Sequence, residues 1–132
     1  MAAPELRTLQ LAAAALATGR AVVGLLPFPA VASARLLGIP AEHDSPTARL
    51  MGRMFGVRNL ALAAMVLLAL RVPGQLHLAC LLNASVDAGD IAVILVPLLG
   101  RQGIDRAAWR CLAFALFALA SWLTMSFLTR PF

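Results

Sequence analysis

Charge is scarce in this chain: only 13% of its 132 residues are Asp, Glu, Lys or Arg, against about 25% in a soluble domain. Lysine is absent, and the eleven basic residues are all arginines, which reads as coding bias. They are scattered among apolar runs and form no basic face, so the net charge of +5 does not indicate nucleic acid. Two cysteines make no disulfide framework. There is no CxxC, GxSxG, Walker loop or HExxH, and hence no support for thiol redox chemistry, serine hydrolysis, phosphoryl transfer or a bound cofactor. What is abundant is apolar: 61% of the chain, above the roughly 45–50% of soluble domains. Disorder is excluded, because low hydrophobicity is its signature. The chain belongs in a membrane, as a single domain.

A helix needs about 20 mainly apolar residues to cross about 30 Å of hydrocarbon. Four segments qualify, roughly Leu6–Phe28, Met51–Arg71, Gln75–Leu98 and Ala107–Leu128. The expected architecture is an all-α, antiparallel four-helix transmembrane bundle. Pro27 and Pro29 close the first span, and Ser45 before Pro46 reads as an N-cap with proline at the first helical position. Val72-Pro73-Gly74 makes a tight hairpin; Gly100 and Gly103 break the third span, and Asp105 can cap the fourth. The first span outruns a signal-peptide core and reads as a span rather than a leader. Pro29–Pro40, with Val31, Ala34, Arg35, Leu36 and Leu37, reads as a short interfacial helix. The loop arginines divide as Arg35, Arg49, Arg101, Arg106 and Arg110 against Arg7, Arg71 and Arg130, which favours both termini outside.

Charged groups deep in a span are functional candidates by default. Here they are Arg20, Arg58, Asp87 and Asp90, with Asn59 and Asn83 beside them. At about 1.5 Å per residue, Arg20, Arg58 and Asp90 lie about 10–12 Å below the cytoplasmic surface, with Asp87 one turn deeper. Asn83, Asp87 and Asp90 share one face of span three, continued by Cys80 and Leu76. Arg20 shares a face with the small residues Ala13, Ala17 and Gly24, and Gly52, Gly56, Asn59 and Ala63 line span two. The GxxxG spacing there reads as packing within the chain. The short turn between spans two and three makes Arg58 the expected ion partner of the aspartates.

Asp87 and Asp90 are candidate acid and base, and Arg20, Arg58, Asn59 and Asn83 candidate ligand contacts. Two carboxylates one turn apart push one toward its protonated form, which suits isomerisation, cyclisation or epoxide opening on an apolar small molecule. Whether the chain is an enzyme stays open. A small proton-coupled transporter is a second reading, but Arg20 stands where the small multidrug exporters carry an acidic residue, so the cargo would be anionic or neutral. A third is a non-catalytic membrane scaffold, its Arg–Asp cluster merely holding helices in register. The partners expected are the lipid bilayer and the apolar ligand, with no nucleic acid and a homo-oligomer left open.

Other residues rank lower. His43 between Glu42 and Asp44 is a solvated loop rather than a metal site, and no metal is expected. Arg53 snorkels, and His77 meets headgroups near the outer interface. Cys80 and Cys111 lie at opposite ends of their spans, beyond disulfide reach. Trp109 and Phe127 suit interfacial anchoring, while Trp122, Phe114 and Phe117 are expected to line the bundle.

Three stretches also carry a resemblance: Pro27-Phe28-Pro29 with Ala34-Arg35-Leu36-Leu37-Gly38-Ile39-Pro40, then Phe55-Gly56-Val57-Arg58-Asn59-Leu60-Ala61-Leu62, and Asp87-Ala88-Gly89-Asp90. From about Gly19 to Leu123 the chain resembles a family of short bacterial four-span membrane proteins, loosely DoxX-like. That resemblance implies the fold and a bacterial inner-membrane location, and no activity. More distantly it is similar to the sterol isomerase and sigma-2 receptor group, which places acidic residues inside a small helical bundle, although that group's histidine-containing pattern is missing here.

Overall fold

A computed structural model describes residues 3–29, 40–72, 74–102 and 105–130. Among them are four long helices and no strand: α1 (Ala3–Leu25), α2 (Pro46–Ala69), α3 (Gln75–Leu99) and α4 (Asp105–Leu128), with a 3-10 turn at Ala41–His43. All four are long and apolar enough to span a membrane, and they pack as a bundle. The interfacial helix expected over Pro29–Pro40 falls outside the described residues, apart from its two end prolines.

Local chemistry explains most helix ends. Ser45, extended at φ −112°, accepts from the Ala48 N–H through its hydroxyl, and Pro46 follows where no amide donor is needed. α2 therefore starts five residues before the apolar run that marks it in the sequence. α1 stops at Leu25, three residues short of Phe28, because Pro27 has no N–H to continue the ladder. Gly74 enters α3 at φ 80°, a conformation that a side chain disfavours.

The bundle is built as two tight antiparallel pairs, α1 with α2 and α3 with α4, which meet across a thinner seam. Without a hydrophobic drive between helices in lipid, close approach depends on small residues. α1 and α2 touch backbone to backbone at Gly24 and Gly56. A Cβ on Gly56 would stand 2.5 Å from the Gly24 carbonyl oxygen, and one on Gly24 2.9 Å from the Gly56 oxygen. The GxxxG glycine thus serves packing within the chain. The core includes Ala13, Ala17, Ala63, Val66, Cys80, Ala84, Trp122 and Met125. Phe114 and Phe117 do not join it. They are 62% and 69% exposed, because they lie about 80° and 140° around α4 from buried Trp122. Trp109 and Phe127 point outward as expected.

Candidate functional site

Arg20 is the hub of the interior. Its side chain is buried among small residues of α1, so its guanidinium must find partners on other helices, and it finds one on each. Nη2 bonds Asp87 Oδ2 of α3, Nη1 donates to Asn59 Oδ1 of α2 at 3.3 Å, and the group lies 5.6 Å from the Trp122 ring centroid on α4. Asn59 is oriented by its own Nδ2, which donates to the Phe55 carbonyl at 2.9 Å. The Arg20 and Asp87 side chains are each 6% exposed. The cluster is closed, and it joins one helix pair to the other across the seam.

Arg58 and Asp90 form a second pair, and an open one. Arg58 Nη2 stands 2.6 Å from Asp90 Oδ2, with the side chains 41% and 22% exposed. The Phe55 ring lies 5.1 Å from the guanidinium, one turn earlier on α2. Counted from the Leu70–Gly74 turn at about 1.5 Å per residue, Asp87 lies about 18 Å in and Asp90 about 22 Å in. That leaves about 8–12 Å to the opposite face of a hydrocarbon layer about 30 Å thick. Both pairs therefore sit inside the apolar layer, and each aspartate has its own guanidinium. The expected Arg58–Asp90 contact forms; Arg20, placed by sequence at the level of Asp90, pairs instead with Asp87.

Asn83 belongs to neither pair. It is fully buried, its Nδ2 donates to the Ala79 carbonyl at 2.9 Å, and its Oδ1 has no partner. His77 bonds within the bundle through Nδ1. Its Nδ1 lies 2.8 Å from the Ser126 carbonyl and 3.1 Å from the Ser126 hydroxyl, tying the start of α3 to the end of α4. A carbonyl in a last helical turn lacks an intrahelical donor, and His77 supplies one in the tautomer protonated at Nδ1. Sequence reasoning missed this bond, because nothing in the spacing of two residues 49 apart announces it. It also missed the bidentate pair of Arg49 with Asp44 at 2.8 Å, which spans the start of α2. There the guanidinium bonds hold the Asp44 carboxyl below its ordinary range. His43 is exposed beside it, and no group of ligands able to hold a metal occurs among the described residues. Cys80 and Cys111 are free thiols.

No family model, curated protein or solved structure matches this chain.

Proposed function

We propose that the chain is a multi-pass protein of a bacterial inner membrane, both termini outside, that binds an apolar small molecule by its polar group at Arg58 and Asp90. The observation that carries this reading is the openness of that pair inside the apolar layer, beside the closed Arg20–Asp87 cluster. A guanidinium has five N–H donors, and the bond to Asp90 uses only part of that capacity. Unmet donors are expensive in hydrocarbon, so an oxygen-bearing ligand gains most by meeting them there. Met54 one turn before Arg58 and Val93 one turn after Asp90 are both exposed and offer the ligand's apolar body a surface. Where the bound molecule is turned over, Asp90 is the carboxylate in reach, and Asp87 acts only by holding the bundle. Arg20, Asn59, Asp87 and Trp122 are all more than nine-tenths buried at the seam, which speaks against a passage through one copy.

The test is photo-crosslinking of a photoreactive sterol or fatty-acid analogue in native-like membranes, mapped by peptide mass spectrometry. Label is expected on α2 and α3 near Met54 and Val93. Asp90→Asn and Arg58→Gln are each expected to abolish it, and so is the double variant, which removes both charges together and is expected to keep its unfolding temperature near that of the unaltered chain. Undiminished labelling of these variants overturns the reading.

A further inference from the structure

A separate groove of about 490 Å³ lies where α3 ends and α4 begins, lined by Leu95, Leu98, Leu99, Arg101 and Trp109. Its position at the helix ends puts it at the membrane surface, and its walls are apolar apart from one cation. The chain there closes α3 in a Schellman turn: the Gln102 N–H donates to the Pro97 carbonyl at 3.2 Å, and the Arg101 N–H to the Leu98 carbonyl at 3.4 Å. That turn puts its C′ residue in the left-handed region, a place that ordinarily falls to glycine. Here Gly100 stands one position early, at φ −80°, and Arg101 takes the left-handed place at φ 48°. A backbone strained in this way invites a functional explanation for the side chain it holds. Among the described residues Arg101 has no acidic partner. The groove therefore offers an unpaired guanidinium, three leucines and an exposed tryptophan at one membrane interface.

We infer that this groove binds an anionic phospholipid, with the headgroup phosphate on Arg101 and one acyl chain along Leu95, Leu98 and Leu99. Arginine matches phosphate by paired N–H bonds, and tryptophan favours the level where headgroup meets chain. The inference is independent of the Arg58–Asp90 reading, which concerns another place on α3.

The experiment is native mass spectrometry of the full chain in mild detergent, offered phosphatidylglycerol and phosphatidylcholine of identical acyl chains in equal amounts. The unaltered chain is expected to retain phosphatidylglycerol preferentially. Arg101→Gly is the informative variant, because glycine relieves the positive φ, and its unfolding temperature should not fall. The preference should nevertheless drop about fivefold, the effect of one arginine near a charged membrane surface. Arg71→Gln, which removes the same charge at the opposite membrane face, should leave the preference intact. Excess inorganic phosphate should not displace the lipid, since the acyl chain holds it too. An unchanged preference in Arg101→Gly, an equal loss in Arg71→Gln, or displacement by phosphate alone would each overturn the inference.

Discussion

Arg20→Met is the sharpest test of the interior. It leaves Asp87 buried with its charge uncompensated, which typically costs about 3–5 kcal/mol. It also removes the donor to Asn59 Oδ1, an orphaned acceptor worth about 1–3 kcal/mol. The aromatic contact with Trp122 adds up to about 2 kcal/mol. These contributions share atoms and do not sum, so the expectation is a loss of about 3–5 kcal/mol, set by the orphaned carboxylate. Arg20→Met combined with Asp87→Leu removes both charges together and should recover the carboxylate's share, leaving about 1–3 kcal/mol for the orphaned Asn59 acceptor. Reversible unfolding in mixed micelles of dodecyl sulfate and dodecyl maltoside, followed by far-ultraviolet circular dichroism, gives all the free energies of the cycle. A single-variant loss below about 1 kcal/mol would refute the reasoning, as would a double variant as unstable as the sum of the singles.

Two smaller predictions use the same assay. Gly56→Ala drives a Cβ to 2.5 Å from the Gly24 carbonyl oxygen, a backbone atom that cannot rotate aside, and should cost about 1–3 kcal/mol; Gly89→Ala meets nothing within 4 Å and should be neutral or gain about 0.5–1 kcal/mol. Equal effects at the two glycines would refute the close crossing. Asn83→Leu removes a buried acceptor that has no partner and should leave stability unchanged or raise it by about 1 kcal/mol, whereas a loss above about 2 kcal/mol would mean that Oδ1 is satisfied in the membrane.

Much of this molecule was legible because the relevant signals are local. Apolar run length marks four spans, Ser45-Pro46 marks a helix start, and the spacing of Ala13, Ala17, Arg20 and Gly24 marks a buried face that the structure bears out. The inward turn of Asn83 and Asp87 follows from the same counting. Side-chain choice among helices was less accessible. Adjacency in the chain points to Arg58 for the aspartates, and it does meet Asp90, but the buried partner of Asp87 comes from α1, beyond an intervening helix. Phe114 and Phe117 were misplaced for a different reason. In lipid an outward aromatic is as well solvated as an inward one, so hydropathy does not separate the faces of α4. The left-handed Arg101 was hidden because Gly100 stands beside the position that a glycine would normally mark.

The Arg20–Asp87 bond joins residues 67 apart, and that separation has a consequence for biosynthesis. Translation at about 5–20 residues per second leaves roughly 3–13 s between the emergence of the arginine and that of its aspartate. Throughout that interval the first helix carries an unneutralised cation, at an insertion cost of about 2.5–3.5 kcal/mol for a central arginine. The Gly24–Gly56 crossing becomes available earlier and can hold the first two helices together meanwhile. The N-terminal hairpin of this chain is therefore charge-balanced at Arg20 only once the third helix has brought Asp87, before the fourth helix joins the bundle.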